Sequence, residues 1–106
     1  MLKDQVIIKD RKTNCVKFST GESWPHALRK MEVCYWLRNN GYTYYTEANF
    51  EKGGRADIVV VHPEEFIIEV LHTEKLSNIL KKKDVYPLVD IRVTRTAEQF
   101  KEKDIL

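Results

Sequence analysis

Two acidic residues, Asp57 and Glu69, interrupt runs that are otherwise apolar: Ile58-Val59-Val60-Val61 follows the first and Phe66-Ile67-Ile68 precedes the second. Short β-branched runs of this kind read as strands, and continuous apolarity reads as burial on both faces. His62-Pro63-Glu64 supplies the turn between them. If the hairpin turns symmetrically about Pro63, residues whose numbers sum to 126 stand opposite one another, which sets Asp57 against Glu69 on a shared face. Directly opposed side chains have Cβ atoms about 4.5–5.5 Å apart, so two carboxylates there repel unless something positive lies between them. A divalent cation is the natural partner: hard oxygen ligands suit Mg²⁺ or Mn²⁺, which keep waters that can be used against a phosphodiester. The competing reading is that the acids face solvent on the polar side of an ordinary hairpin, or pair with Arg55 or a lysine. Buried acids require partners, and this shifts weight toward a site.

The elements that must position this pair are legible on either side of it. Ser23 is a helix N-cap candidate and Pro25 sits where a helix tolerates proline; helical apolar spacing continues to Asn40, with Gly41 as the stop. His26, Lys30, Val33 and Leu37 follow i, i+4, i+7, i+11 spacing, so two polar residues continue an apolar stripe toward the sheet. Glu32 lies about 200° around the helix from Lys30 and is expected in solvent. Residues 42–46 form a first strand, the Gly53-Gly54 loop leads to strands 56–61 and 66–70, 73–83 reads as a helix with a basic end, 88–93 as a strand and 97–103 as a short last helix. A helical crossover from Thr73 implies that strand 88–93 lies parallel to strand 66–70. Upstream, Gln5 to Ile8 and Cys15 to Phe18 flank a polar turn and predict an N-terminal β-hairpin. The expected fold is α/β: an αβββαβ core with a mixed four-stranded sheet flanked by helices.

Composition bounds the rest. A chain of 106 residues, 42% hydrophobic, buries one modest core, so a single domain over 1–106 is expected. With 18 basic and 16 acidic residues the net charge is +2 and the pI about 8.5, which permits nucleic acid as a partner without demanding it. No apolar run approaches the roughly 20 residues of a membrane span, and Met1-Leu2-Lys3-Asp4 lacks the start of a secretion signal, so a cytoplasmic chain without a membrane partner is expected. Cys15 and Cys34 have no Cys-x-x-Cys spacing and suggest buried thiols rather than a zinc site or a disulfide. Lys81-Lys82-Lys83 reads as a solvated helix end.

Arg55-Ala56-Asp57-Ile58-Val59-Val60 followed by Ile67-Ile68-Glu69-Val70, in this element order, resembles the PD-(D/E)XK, or restriction-endonuclease-like, nucleases. Within them, Phe18 ahead of His26-Ala27-Leu28-Arg29-Lys30, then Glu47, then Arg-Ala-Asp, is similar to the nuclease-like domain of the competence protein CoiA family. The likeness spans roughly residues 15 to 94. It implies a restriction-endonuclease-like fold and a metal-dependent DNA endonuclease or exonuclease acting on single-stranded, duplex or branched DNA. Asp57, Glu69 and Glu47 become the expected ligands of Mg²⁺ or Mn²⁺; Lys30 and His26 join Asp57 and Glu69 as catalytic residues; Arg55, His72 and Lys75 bind substrate. By analogy with small members of the superfamily, a homodimer is possible. The usual lysine two residues after the glutamate, a glutamine in the CoiA-like group, is Leu71 here. Leucine can neither orient a water nor stabilise a pentacovalent phosphate. Arg55, opposite Leu71 in the sum-126 register, the adjacent His72, and Lys30 are the candidates to replace it, with Lys30 preferred because relocated lysines are known in the superfamily. The alternative function is a catalytically degenerate module that keeps the fold and binds nucleic acid or a protein without cleaving. An unrelated α/β interaction domain would follow if Asp57 and Glu69 lay far apart.

Overall fold

The computed structural model describes residues 2–7, 12–73 and 90–106. Helix α1 (Leu2–Gln5) is a single turn, and helix α2 (Trp24–Asn39) is the longest described element. Helix α2 begins where a side-chain acceptor is available: Ser23 Oγ accepts the His26 amide at 3.3 Å, and Pro25 occupies the first turn, where its missing amide costs nothing. It stops at Gly41, whose φ of +80° lets the chain reverse so that the Tyr42 amide returns to the Leu37 carbonyl at 3.0 Å. Val33, Cys34 and Leu37 are buried along its inner face, as are Ala27, Arg29 and Lys30 nearer its start, while Glu32 is exposed as its rotation requires.

Strands β1 (Thr43–Asn49), β2 (Arg55–His62), β3 (Phe66–Leu71) and β4 (Asp90–Arg95) form one mixed sheet in the order β1-β2-β3-β4. Neighbours β1 and β2, and β2 and β3, are antiparallel; β3 and β4 are parallel. In the β2–β3 hairpin Ile58 faces Ile68, Val59 faces Ile67 and Val60 faces Phe66, the sum-126 register expected from the turn at Pro63. Alternating side chains then supply two cores. Ile58, Val60, Phe66 and Ile68 pack against Val33 and Leu37 of α2, and Val59 and Ile67 pack with Leu2, Val6, Tyr45 and Phe50 on the opposite face. No described helix is long and apolar enough to cross a membrane.

Two expected elements do not form. Among the described residues the N-terminal hairpin is absent, because both runs find β1 and its end instead of each other. The Ile7 amide donates to the Asn49 carbonyl at 2.8 Å and the Gln5 carbonyl accepts the Glu51 amide at 3.0 Å. Around Cys15, the Asn14 amide donates to the Tyr44 carbonyl at 2.8 Å, the Asn14 side-chain oxygen accepts the Tyr44 amide at 3.0 Å, and Thr46 Oγ accepts the Lys17 amide at 2.8 Å. The helix expected over 97–103 is replaced by a turn and a 3₁₀ turn at Glu102–Asp104. The Glu98 carbonyl accepts from the Arg29 guanidinium, so it does not serve a helical ladder, and the chain instead folds back to bury Ile105 in the α2-side core. The helix expected over 73–83, apart from Thr73, and the first two residues of strand 88–93 lie outside the described residues.

Arg29 is the tie between α2 and the end of β4: it is buried, donates to Thr94 Oγ at 2.6 Å and to the Arg95 carbonyl at 2.7 Å, and also reaches the Glu98 carbonyl. Hydrogen bonds from a charged donor are worth about 1.5–3 kcal/mol each, with strong non-additivity within one side chain. Arg29→Ala is expected to destabilise the fold by about 3 kcal/mol in urea unfolding. Arg29→Lys should recover only part of that loss, because one ammonium cannot span three acceptors set for a planar fork.

Candidate functional site

Strict alternation along β1 and β2 would keep Ala48 on the face of Thr46 and Ala56 on the face of Ile58. Instead Ile58 packs on the α2 side, whereas Ala48 and Ala56 pack with Val59 and Phe50 on the other. The break falls at Glu47, which has a left-handed φ of +48° and lies between the pairs Thr46↔Ile58 and Ala48↔Ala56. Such a conformation in a residue with a Cβ is strained by roughly 1–2 kcal/mol and persists only where neighbours enforce it. Glu47 and Asp57 stand at the break, and both side chains reach partners on α2.

Asp57 is held from three directions. Its Oδ2 accepts the Val70 amide at 2.8 Å and lies 3.3 Å from His26 Nε2, and Glu69, the residue that the register places opposite, is near enough to act on its titration. Burial pushes the Asp57 carboxyl upward, but the bond from His26, the nearby Glu69, the charge of His26 and the Val70 amide together outweigh it and hold Asp57 below the ordinary carboxylate value. Reciprocally, the hydrogen bond that His26 donates to Asp57 raises His26 above its usual 6.5, against burial, with the charges of Asp57 and Glu22 helping.

Lys30 lies beside this pair in a network of its own. Its side chain has 0% exposure, and Nζ donates to Glu22 Oε1 at 2.6 Å and to Glu47 Oε1 at 3.0 Å. The other oxygen of Glu47 lies 3.4 Å from Arg55 Nε, and Arg55 is 54% exposed. Glu22 Oε1 also lies 3.1 Å from His26 Nδ1, close enough for charge attraction but not aligned as a hydrogen bond; Nδ1 and Glu22 Oε2 are both buried without a hydrogen-bond partner. The two networks meet at a cleft of about 370 Å³ lined by Glu22, His26, Glu47, Arg55 and Asp57, by His72 and Thr73 from the end of β3, and by the loop from Ser19 to Ser23.

Set against known protein families, curated proteins and solved structures, the chain matches none.

Of the residues nominated from sequence, His26, Glu47, Arg55, Asp57 and His72 line this cleft, and Glu69 is buried. His72 Nδ1 lies 2.7 Å from Thr96 Oγ. Lys30 faces the sheet as its spacing requires, yet its ammonium binds Glu22 and Glu47. Lys75 lies outside the described residues. Cys34 is buried and its thiol is pushed up to about 12 by burial, whereas Cys15, also expected to be buried, is exposed because its segment lies along the outer edge of β1. Sequence reasoning missed Glu22. It precedes the N-cap, outside the helical periodicity that singled out His26 and Lys30, although its place four residues before His26 is the one clue available. Among the described residues, no group of three His, Cys, Asp or Glu side chains is arranged to enclose a metal ion.

Two measurements follow. Removing Lys30 leaves two buried carboxylates without their shared cation, so Lys30→Ala should cost about 3–5 kcal/mol in denaturant unfolding. The His26 value is raised in the folded state, so its stabilising contribution is complete below about 6.5 and is lost as pH rises through the higher folded value. In metal-free buffer, the stability gap between the wild type and His26→Gln should therefore be larger at pH 5.5 than at pH 9.

Proposed function

We propose that the protein is a metal-dependent phosphodiester hydrolase acting on DNA, built on a restriction-endonuclease-like sheet. The observation that carries this reading is the pairing of Asp57 with Glu69 at the wall of a polar cleft that also presents His26 and Arg55. The three antiparallel-linked strands after α2, and the parallel return of β4 beside β3, support the same fold assignment.

The donor set suits a hard divalent ion. Two carboxyl groups near enough to act on each other's titration can share a cation, and Mg²⁺ or Mn²⁺ needs few protein ligands because it retains waters. Asp57 and Glu69 would hold it; bound there, it supplies Lewis acidity toward the phosphate and an ordered hydration shell. Glu47, with its oxygens engaged by Lys30 and Arg55, acts as a brace for those cations rather than a ligand. His26 Nε2 and the Val70 amide fix the orientation of Asp57. Among the described residues lining the cleft, Arg55 is the arginine or lysine, and its partly exposed guanidinium is suited to a non-bridging phosphate oxygen. It takes over the charge stabilisation that Leu71, buried in β3, does not provide.

Leu71 and the full engagement of Lys30 favour a second reading, a degenerate module that binds DNA without cutting it. Incubation with single-stranded, duplex and branched DNA, with Mg²⁺ or Mn²⁺ and with chelator, separates the two. Under the hydrolase reading, cleavage requires metal, disappears in Asp57→Asn and Glu69→Gln, and falls on the order of a hundredfold in Arg55→Ala, with circular dichroism checking that this variant is folded. At tenfold excess over Kd the metal should add about 1.4 kcal/mol to stability, a rise of several degrees in melting temperature that Asp57→Asn abolishes. DNA binding without cleavage, unchanged in Asp57→Asn, would establish the degenerate module instead.

A further inference from the structure

Phe18 is a large aromatic residue left 55% exposed at the edge of the cleft. Its neighbour Ser19 lines that cleft, and the Lys30 ammonium lies 5.2 Å from the centre of its ring. That same ammonium is 2.6 Å from Glu22, so the ring borders the acidic wall. The side chain therefore spends part of its surface covering a buried cation and turns the remainder to solvent. The segment that carries it is anchored: Thr46 Oγ donates to the Cys15 carbonyl at 2.7 Å and accepts the Lys17 amide at 2.8 Å. Between Phe18 and the start of α2, Gly21, which lines the cleft, adopts a φ of +80° with no atom within 4 Å of where a Cβ would stand.

We propose that Phe18 is a stacking platform for a nucleobase, and that the cleft accepts DNA whose bases are unpaired at this point: a single strand or a frayed end rather than a continuous duplex. This rests on the phosphodiester reading of the cleft and names its substrate class. An exposed ring beside a phosphate site offers a π-face to any base, whereas the bases of an intact duplex are already stacked on each other and present only their edges. The cation beneath the ring holds it in place, so little freedom is lost when a base is stacked on its outer face.

The experiment measures binding of fluorescein-labelled oligodeoxynucleotides, single-stranded and fully duplex, by anisotropy in Ca²⁺, with Phe18→Ala, Phe18→Leu and Phe18→Trp beside the wild type. Phe18→Leu keeps an apolar cover over Lys30 but removes the flat ring, and circular dichroism melts confirm that each variant is folded. The wild type should prefer the single strand; Phe18→Leu and Phe18→Ala should lose roughly ten- to hundredfold of that affinity, Phe18→Trp should retain it, and the weaker duplex binding should change by less than about twofold in all of them. Single-strand affinity unchanged in Phe18→Leu, or a wild-type preference for duplex, would overturn the stacking role while leaving the phosphodiester reading intact. Absence of binding to either DNA by the wild type would overturn both.

Discussion

The ammonium of Lys30, enclosed between Glu22 and Glu47, is the contact on which the site's architecture depends. Removing three charges from water is costly, and the cost is recovered only when the geometry is close to ideal. Each surrounding feature serves that geometry. The helix must be rotated so that Lys30 faces inward, the loop before Ser23 must fold back to deliver Glu22, and β1 must adopt the left-handed residue that brings Glu47 to the α2 side. The strain at Glu47 is sustained because its carboxylate is clamped by Lys30 on one oxygen and faces Arg55 on the other. Asp57 stands at the same break in alternation, so the lysine that touches neither its hydrogen bond to His26 nor the one from Val70 nevertheless shapes the wall on which it sits.

Much of the frame was legible in the sequence, for local reasons. Ser23, Pro25 and Gly41 mark the ends of α2 by backbone chemistry that acts within a few residues. A turn at Pro63 between two apolar runs leaves one register that keeps Ile58, Val59 and Val60 paired with Ile68, Ile67 and Phe66, and the opposition of Asp57 and Glu69 follows. What was not legible depended on contacts between distant segments. The runs Gln5 to Ile8 and Cys15 to Phe18 both have β-forming composition, and nothing local to them indicates that their described residues dock on β1 and its end instead of on each other. The last helix fails because a carbonyl at Glu98 is claimed by Arg29, nearly seventy positions earlier in the chain. Glu22 and the φ of Glu47 are of the same kind: a residue outside any periodic pattern and a conformation that no glycine announces.

The charge distribution within the site explains how a nearly neutral chain fits a polyanionic partner under the proposed function. Lys30 and Arg29, the two buried cations of α2, are consumed internally, one by carboxylates and the other by β4 and the turn beyond it. Among the described residues lining the cleft, Arg55 is then the cation left to meet phosphates, so under that proposal recognition would lean on a metal ion held by acids and on an aromatic surface rather than on a broad field. Binding of that kind releases few counterions and varies only weakly with salt.

The segment around Asn14 also bears on how the protein behaves in a crowd of its own copies. A sheet ends in rows of unused amides and carbonyls, and such borders invite strands from other molecules to add on. At β1 that border is already claimed: Asn14 offers the Tyr44 amide its side-chain oxygen and gives its own amide to the Tyr44 carbonyl, and Thr46 receives Lys17 through a hydroxyl. Because part of this cover is made by side chains at irregular spacing, it does not itself present a second ladder outward. At the other end of the described sheet, β4 carries exposed Asp90 and Arg95, charges that an incoming strand would have to desolvate. The irregular segment that looked like half of a hairpin thus works as a selvage, finishing the sheet so that it does not unravel into filaments.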